Sequence, residues 1–481
     1  MSRLGLAFLA LLALGATALA APRAWTDRDG RTVEAELVRA DATHVVIRRA
    51  ADGREFTLQR ERLSEADLQF LVQSAASSAS TPAEASAASA PPAWIEAINT
   101  ALGLPLFADA VLWDDAPAEL ADRLKLRPES ITSGYESWRA YARQPRPVLG
   151  VPAYMVALRS EEGRVAEISV LFTNRGDDPA FAGLDIFSII PPAKLEAFRA
   201  SLSGDFQKIR AKLAELLPDG AVASSPALRR AFPGDLAVFN AGDHQIVVQS
   251  LPDWHLALRI QPSERAAPPR LSDDQLRQRL RAKVTRRDNG DVVLDRIPMV
   301  DQGPKGYCVP ATFERLLRYS GIPADMYDLA AIGGTGFGGG TNPDKLVEAL
   351  ERTVRRNGRR LRAVELKLTP SGLSRHIDEG RPVLWSLSST PAFNALADAY
   401  SRHRVTLDAT ALKTWASEQK RLGERLGPDF GSAHLCLLTG YNRATGEIAF
   451  SDSWGPGFAE RWLPASAVQA VSSGRFWALD F

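Results

Sequence analysis

The sequence predicts a multidomain α+β protein in which a small β module, a linker, an α+β middle domain and a second α+β domain follow one another. The chain has 481 residues, which is too long for one hydrophobic core and corresponds to about three domains. A stretch that is mostly Ser, Ala and Pro, residues 73–93, is typical of a flexible linker. Strand-like alternation precedes this linker, and strands mixed with helical periods follow it.

Composition and charge exclude some classes of partner. Hydrophobic residues make up 45% of the chain and charged residues 24%, which is typical of folded soluble protein. The formal net charge is +1, so the chain as a whole has no electrostatic attraction to nucleic acid or to anionic membranes. We therefore expect no nucleic-acid partner.

The first 20 residues have the organisation of a secretory signal peptide. Arg3 provides a positive charge, Leu4 to Leu14 is apolar, and Ala18-Leu19-Ala20 is a typical cleavage site. The alternative is a membrane anchor, but the apolar run is shorter than the ~20 residues of a spanning helix. We predict a signal peptide at residues 1–20, a secreted or periplasmic protein, and no membrane span after cleavage.

Residues 22–72 are predicted to form a compact β module. The turn signals Asp27–Gly30 and Asp52-Gly53 separate short runs in which apolar and polar residues alternate, and a short helix follows. The segment resembles the SLA-type homology module, a small SH3-like β barrel. The resemblance implies binding of a protein or cell-wall partner and no chemistry. It is carried by Trp25–Asp27, Gly30–Thr32, Gly53–Phe56 and Leu63-Ser64.

Residues 94–270 are predicted to form an α+β domain of unknown role. Helical periodicity marks Trp94–Leu102 and Pro192–Leu217, and strand-like runs lie between and after these helices. The segment has no cluster of metal-ligating or catalytic residue types. A charged run, Asp273–Arg287, then opens the last domain, residues 271–481, and is expected to be a solvated helix.

Cys308 lies where a thiol becomes reactive. It follows Gly306 and begins an apolar pattern with helical spacing that includes Phe313, Leu316 and Leu317. The first turn of a helix has unpaired N–H groups and the positive end of the dipole, both of which stabilise a thiolate. Cys308 is therefore a candidate nucleophile.

A predicted hairpin brings a base and a carboxylate toward each other. His434 opens the apolar strand Leu435–Tyr441, and the turn Asn442–Gly446 returns the chain as the strand Glu447–Phe450. Asp452 follows directly. The pattern does not fix the register of the hairpin, but Cys, His and Asp occur in an order known for thiol hydrolases.

The spacing of these residues resembles that of the papain-like cysteine peptidase superfamily over residues ~295–481. Gln302 precedes Cys308 by six positions, as the oxyanion-hole glutamine of that family does. His434 follows Cys308 by 126 positions, close to the ~130–150 usual there. Asp452–Gly455 is similar to the family's Asn-Ser-Trp-Gly box, with Asp in place of Asn.

Two departures shift the resemblance within the superfamily. The Cys-Gly-Ser-Cys-Trp signature of papain is replaced by Gly306–Pro310, and the third catalytic position is Asp452 rather than Asn. In both respects the segment is more similar to the bacteriocin-processing (double-glycine) peptidases and their relatives.

The resemblance implies a fold and a role for each residue. The fold is papain-like, with a helical half and an antiparallel β half. Cys308 would be the nucleophile and His434 its base, with Gln302 and the Cys308 N–H forming the oxyanion hole. Asp452 would orient the imidazole, and Trp454 would shield their hydrogen bond from water. No metal or cofactor is implied, and the expected substrate is a peptide or protein.

Several alternatives stay open at this point. The domain can be a peptidase, a transpeptidase or amidase acting on cell-wall peptide, or a catalytically inactive binding protein. Cys308 and Cys436 can also form a disulfide. The glycine-rich stretch Gly333–Gly340 is either structural or pairs with extended substrate. Residues 391–430 are expected to form a lid or specificity insertion, with surface decoration as the alternative.

Overall fold

A computed structural model describes most of the chain after the predicted signal peptide. The predicted signal peptide, most of the predicted linker and the segment 264–270 lie outside the described residues. The described residues are 23–26, 28, 31–40, 44–49, 55–59, 62–64, 66–71, 93–109, 112–132, 134–181, 184, 189–217, 221–263, 271–303, 306–336, 340–426 and 431–480.

The chain divides into two compact units, Met1–Ala90 and Pro91–Phe481. In the first unit four antiparallel strands pair in the open order β1-β2-β3-β4, and a short helix follows. Trp25, Ala35 and Ile47 belong to its small core, and the Trp25 indole donates to the Ala35 carbonyl oxygen at 3.1 Å. The elements are β1 Arg23–Thr26, β2 Thr32–Ala40, β3 His44–Arg49, β4 Glu55–Gln59 and α1 66–71.

The expected closed barrel is not observed in the first unit. Among its described residues β1 pairs only with β2 and β4 only with β3, so no ladder joins the two edges. All four residues of β1 pair with β2. The sheet is therefore open, and the resemblance of the module to an SH3-like fold stays a prediction.

The second unit begins with an eight-stranded antiparallel sheet, here called the middle sheet, in the order β5-β6-β7-β8-β12-β11-β10-β9. Its strands are β5 Arg127–Thr132, β6 Tyr135–Val148, β7 Val151–Glu161, β8 Arg164–Asn174, β9 Ala221–Val222, β10 Asp235–Ala241, β11 His244–Leu251 and β12 His255–Pro262. The accompanying helices are α2 Ala93–Leu102, α3 Pro117–Arg123, α4 Pro192–Leu216 and α5 Pro226–Ala231, with 3₁₀ turns at Leu112–Asp114, Arg175–Asp177 and Pro179–Phe181.

The middle sheet extends further than the sequence pattern predicts. Strand β6 contains Pro145 and Pro147, which argue against a continuous strand. The structure accommodates them through a register shift between Tyr141 and Arg146, next to the turn into β7. The irregularity interrupts the alternation of apolar and polar residues, so the alternation does not predict β6 as one strand.

Both faces of the middle sheet are covered. One face packs on α2 and α4 in a core that includes Ile98, Phe206 and Leu258. Met155 and Leu171 pack on residues of the following segment, including Tyr307 and Ala311. The middle sheet therefore shares a hydrophobic core with the segment that carries Cys308.

The rest of the second unit combines helices with a second antiparallel sheet, in the order β13-β14-β17-β16-β20-β15, with β18 and β19 continuing from β17. The strands are β13 Val284–Arg286, β14 Asp291–Leu294, β15 Arg360–Ala363, β16 Val383–Ser389, β17 Ser432–Asn442, β18 Glu447–Ser451, β19 Arg461–Pro464 and β20 Ser472–Asp480. The helices are α6 Asp273–Arg281, α7 Cys308–Tyr319, α8 Met326–Ile332, α9 Pro343–Arg356, α10 Pro370–Ile377, α11 Pro391–Arg404, α12 Ala409–Glu418 and α13 Ala465–Val471, with 3₁₀ turns at Leu422–Arg425 and Pro456–Phe458.

Two expectations for this segment need correction. The charged run 273–287 is not one solvated helix, because α6 ends at Arg281, buries Leu276 and Leu280, and is followed by β13. Residues 391–430 are not a plain surface decoration, because Phe393 and Ala397 of α11 are buried in the core of the second sheet. The expected role of the segment as a lid or specificity insertion stays a prediction.

The mixed α+β class is confirmed, whereas the predicted division into domains stays a prediction. Within the described residues, no helix has the length and apolar character required to cross a bilayer.

Candidate active site

Cys308 is the first residue of α7 and is buried at the N-terminal end of that helix. Phe313, Leu316 and Leu317 anchor the helix in a core that it shares with β17. Burying each such side chain contributes roughly 1.5–3 kcal/mol. The Thr312 hydroxyl donates to the Leu435 carbonyl oxygen at 3.0 Å and so fixes the helix against the strand. The amphipathic pattern of α7 thus determines where the thiol lies.

The surroundings of Cys308 favour its thiolate. Burial raises the pKa of the thiol, but the hydrogen bond and charge of His434 lower it more. Hydrogen bonds to the backbone of Leu435 and Val309 lower it further, and the net pKa lies below that of an ordinary cysteine. Cys308 therefore has the electrostatic environment of a nucleophile.

His434 connects Cys308 to a carboxylate. Its Nε2 lies 2.8 Å from Oδ1 of Asp452, which leaves Nδ1 as the ring nitrogen for the thiol. The hairpin that was expected here pairs Leu437 with Ser451, so Asp452 returns close to the strand position of His434. Trp454 stacks on the imidazole with ring centroids 4.7 Å apart and an interplanar angle of 21°. The ring of His434 is thus held at its edge and on one face.

Asp452 is fully buried, and each of its carboxylate oxygens is bound. Oδ1 also accepts from the Cys436 thiol at 2.7 Å, and Oδ2 accepts from Nη1 of Arg461 at 2.6 Å. Burial raises the pKa of Asp452, but the hydrogen bond and charge of His434 and the charge of Arg461 lower it more. The net pKa is below its usual value, so Asp452 is a carboxylate.

The pKa of His434 is raised well above its usual value. Burial lowers this pKa, whereas Cys436, Asp452 and Cys308 raise it more. Burial and the neighbouring Asp452 raise the pKa of Cys436 to about 12, so Cys436 is a neutral thiol. Because Cys436 is neutral, the negative charges available to favour protonated His434 are those of Asp452 and, once it ionises, Cys308. The raised pKa of His434 and the lowered pKa of Cys308 favour a thiolate–imidazolium pair.

Cys308 and Cys436 are both free thiols. Cys308 packs with Leu435 and Leu437, whereas Cys436 packs in the core of the second sheet. The Cys436 thiol donates to Asp452 Oδ1 at 2.7 Å, so it has a partner other than Cys308. The disulfide alternative therefore receives no support.

His434, Cys436 and Asp452 are also residue types that bind metals, and their ligand atoms lie within 4.8 Å of one another. However, Asp452 Oδ1 lies 2.7 Å from the sulfur and 2.8 Å from Nε2, which are hydrogen-bond distances. Two ligands of one tetrahedral zinc ion lie about 3.5 Å apart, given bonds of ~2.0–2.3 Å. We assign the three side chains to a proton-handling network.

Gln302 lies beside this network and is held by the residue after Asp452. Its N–H donates to the Ser453 carbonyl oxygen at 2.9 Å. The Ser453 hydroxyl donates to Gln302 Oε1 at 2.8 Å. Because the amide oxygen is bound by Ser453, the amide NH₂ group points away from Ser453. That orientation is required of an oxyanion donor.

Arg315 joins α7 to the strand that ends at Asp452. From the helix, its guanidinium donates to the carbonyl oxygens of Pro298 at 2.9 Å and Asp452 at 2.8 Å, and it also contacts the Ser451 hydroxyl. Burial lowers the pKa of Arg315 to about 10, so it remains charged at neutral pH. The helix that begins at Cys308 and the strand that ends at Asp452 are therefore connected directly.

The glycine-rich stretch borders the site. The Gly340 N–H donates to the Gly306 carbonyl oxygen at 3.2 Å, two residues before Cys308. The hydroxyls of Thr335 and Thr341 lie 2.6 Å apart and close the base of the loop. Residues 337–339 lie outside the described residues, so pairing of this stretch with substrate stays a prediction.

The structure brings together all four residues that the sequence singled out, Cys308, His434, Asp452 and Gln302. Sequence reasoning missed Arg461, Ser453 and Arg315, which hold the carboxylate, the glutamine and the helix. Ser453 was part of the motif but had been given no role. Arg461 and Arg315 each follow a glutamate directly in the sequence, so neither stood out as a lone charge in an apolar run.

The comparisons with known proteins concern the same part of the chain. A search of curated proteins finds no match for the chain. Residues 294–473, a little over a third of the chain, match the model of the Peptidase_C39 like family. The closer resemblance to bacteriocin-processing peptidases stays a prediction. The match supports placing this part of the chain in the papain-like cysteine peptidase superfamily.

Proposed function

We propose that the protein is a cysteine peptidase that cleaves peptide bonds through Cys308, His434 and Asp452, with Gln302 as an oxyanion donor. The observation that carries the proposal is that the His434 ring hydrogen-bonds both Asp452 and Cys308. One ring nitrogen bonds the buried carboxylate of Asp452 at 2.8 Å, and the ring also hydrogen-bonds Cys308. The family match over residues 294–473 favours the same chemistry.

The acylation half of the reaction uses the ion pair. The Cys308 thiolate attacks the scissile carbonyl carbon, and the carbonyl electrons move to oxygen as the C–S bond forms. The Gln302 amide and the Cys308 backbone N–H donate to that oxyanion. His434 then gives its proton to the leaving amine as the C–N bond breaks, which leaves a thioester.

Deacylation reverses the roles. Neutral His434 takes a proton from water, which attacks the thioester carbonyl, and the C–S bond breaks. The carboxylic acid product leaves, and the thiolate–imidazolium pair is restored. Asp452 stays ionised throughout, because Arg461 neutralises its second oxygen.

We also propose that the reaction takes place outside the cytoplasm, as the first 20 residues suggest. A thiol enzyme there needs Cys308 to escape permanent oxidation. Both cysteines are free, and Cys308 is largely buried beside His434, which limits its contact with disulfides of other proteins. The N-terminal unit would then bind a protein or cell-wall partner.

A fluorogenic peptide library under reducing conditions tests the activity. Wild type should release product, and Cys308→Ala and His434→Ala should release none while retaining the wild-type circular dichroism. Full turnover by Cys308→Ala would contradict the proposal. Product analysis with and without an added amine decides between hydrolysis and transpeptidation, because a transpeptidase joins the acyl group to the amine.

A further inference from the structure

The residue before Gln302 is held at both of its backbone groups by side chains of the middle sheet. The Asp301 N–H donates to Glu129 Oε1 at 2.7 Å. The Asp301 carbonyl oxygen accepts from the Tyr141 hydroxyl at 2.9 Å. Glu129 lies on β5 and Tyr141 on β6, more than 150 residues earlier in the chain. Two neighbouring strands therefore hold the two peptide groups that flank the Cα atom of Asp301.

Glu129 and Tyr141 together form what is here called the Asp301 clamp, and the carboxylate of Glu129 is itself fixed in place. Glu129 is 3% exposed, and its carboxylate accepts from Arg139 Nε at 2.7 Å and from the Ser137 hydroxyl at 2.9 Å. Both partners lie on β6, the strand that carries Tyr141. The clamp is thus a rigid part of the sheet, and it does not depend on a mobile side chain.

The residue after Gln302 is shaped by the same tyrosine. Gly303 has a φ of +73°, and a Cβ atom added there would lie 2.9 Å from Cζ of Tyr141. The tyrosine ring therefore lies directly against the backbone of Gly303. Gln302 is flanked on both sides by residues that contact Tyr141.

A second contact of the same kind reaches the residue before Cys308. Asn174, at the end of β8, donates through Nδ2 to the Tyr307 hydroxyl at 2.8 Å. Gly176 has no room for a side chain, since an added Cβ would lie 1.7 Å from that hydroxyl oxygen. Residues at the end of β8 and in the following turn thus hold the side chain of the residue before Cys308, while β5 and β6 hold the backbone of the residue before Gln302.

We infer that the middle sheet is a working part of the hydrolytic site, in which Tyr141 and Glu129 are positioning residues that set the location of the Gln302 amide. The inference rests on the proposed function and gives residues 94–270 a role that the sequence did not show. Neither residue reacts with substrate. They act through Gln302, whose donor loses most of its value when displaced by an ångström.

The alternative is a purely structural interface, and a double-mutant cycle distinguishes the two. The full chain is prepared as wild type, Tyr141→Phe, Gln302→Ala and the double variant. Tyr141→Phe keeps the ring against Gly303 and removes the hydroxyl, which binds the Asp301 carbonyl oxygen and also hydrogen-bonds Tyr327. Thr132→Val is the matched control, because it removes one hydroxyl that binds the Tyr135 carbonyl oxygen within the same sheet. Each variant is assayed for kcat, KM and the alkylation rate of Cys308.

We expect Tyr141→Phe to lower kcat about tenfold, with KM and the alkylation rate of Cys308 unchanged. Gln302→Ala should lower kcat by ~10²–10³, and Tyr141→Phe should add no further loss in that background. Thr132→Val should behave as wild type. Wild-type kcat in Tyr141→Phe, or losses that multiply in the double variant, would overturn the inference.

A second readout keeps the inference testable without turnover. Hydrogen exchange over residues 299–303 should become about tenfold faster in Tyr141→Phe, the effect of losing roughly 1.4 kcal/mol of local stability. Unchanged exchange there would show that the clamp does not hold the loop. Absence of Cys308-dependent turnover in wild type, by contrast, would reject the proposed function itself.

Discussion

Arg461 donates to one carboxylate oxygen of Asp452 at 2.6 Å, while the other oxygen binds the His434 ring at 2.8 Å. The guanidinium is almost completely buried, and its second terminal nitrogen donates to the Asn394 carbonyl oxygen at 2.9 Å and pairs with Asp398. Arg461 therefore orients Asp452 and balances its charge. The papain-like family usually has an uncharged Asn at the third position, and Arg461 gives a physical reason for the Asp found here.

Replacing Asp452 by Asn should impair this site although Asn serves related enzymes. The amide oxygen can accept from His434 only if the amide NH₂ group faces Arg461, where donor meets donor. Loss of the carboxylate also lowers the pKa of His434. The alkaline limb of kcat/KM should therefore move to lower pH by on the order of one unit, and the pH–rate profile measures this.

Asp452→Ala serves as the reference for that experiment. Without any acceptor the imidazole is free to rotate, so the rate should fall far more than in Asp452→Asn. If Asp452→Ala and wild type have the same profile, Asp452 is not the third catalytic residue.

Arg461→Met should destabilise the fold by about 3–5 kcal/mol, because it leaves the buried Asp452 carboxylate without its cation. The lowered pKa of Asp452 contributes stability above the unfolded pKa that is lost as the pH falls through the folded pKa. Removing Arg461 raises the folded pKa, so acid unfolding should begin at higher pH. Urea unfolding at several pH values measures both effects.

Two further variants control for nonspecific effects of removing an arginine. Arg286 pairs with Asp378 at 2.8 Å on the surface, and Arg286→Met should cost no more than ~1 kcal/mol. Arg461→Met/Asp452→Asn should be more stable than Arg461→Met alone, because the stranded charge is gone. Equal costs for Arg461→Met and Arg286→Met would contradict the buried-pair interpretation.

Ser453→Ala should lower kcat about tenfold and leave KM nearly unchanged. The Ser453 hydroxyl fixes the amide oxygen of Gln302, so without it the amide can turn its NH₂ group away from the oxyanion. Combined with Gln302→Ala, the Ser453 change should add little, since it acts through the glutamine. Steady-state kinetics of the two single variants and the double variant provide the comparison, and independent losses would reject this role.

Gly303→Ala should reduce activity more than an equally strained glycine substitution elsewhere. Gly303 and Gly163 have φ values of +73° and +76°. An added Cβ meets Tyr141 at 2.9 Å in the first case and nothing within 4 Å in the second. Both variants should lose roughly 1–2 kcal/mol of stability from backbone strain. Only Gly303→Ala should also lower kcat, and similar kinetics for the two variants would count against a tight oxyanion loop.

The elements of the site were predictable where a local pattern defines them. The helix that begins at Cys308 follows from its apolar spacing, and the hairpin that carries His434 and Asp452 follows from two strand-like runs around a turn. The register of that hairpin was not predictable, because it depends on a bulge between Leu438 and Gly440. Local sequence does not encode such a shift.

The supporting residues were not predictable for a different reason. Arg461, Arg315 and Tyr141 act through contacts with residues distant in sequence, and no motif marks them. The burial of helix α11 was not predictable for the same reason, since its packing in the core depends on tertiary contacts of Phe393. A single sequence gives residue types and periods, but it does not show which buried cation faces which carboxylate.

The pH dependence of Cys308 alkylation by iodoacetamide, followed by peptide mass spectrometry, tests the central claim most directly. The lowered pKa of Cys308 and the raised pKa of His434 predict a thiolate that persists below the pH of about 8.5 at which an ordinary cysteine ionises, and that reacts there. The thiolate and the imidazolium titrate together, so the pH dependence of Cys308 labelling reports on both groups and not on Cys308 alone. Cys436 is the internal reference, because its pKa of about 12 and its burial should keep it unlabelled in the folded protein. We predict rapid labelling of Cys308 alone at pH values below about 8.5, with a shift of the reaction toward pH 8.5 in His434→Ala. Labelling of Cys308 in wild type that begins only near pH 8.5 would contradict the account.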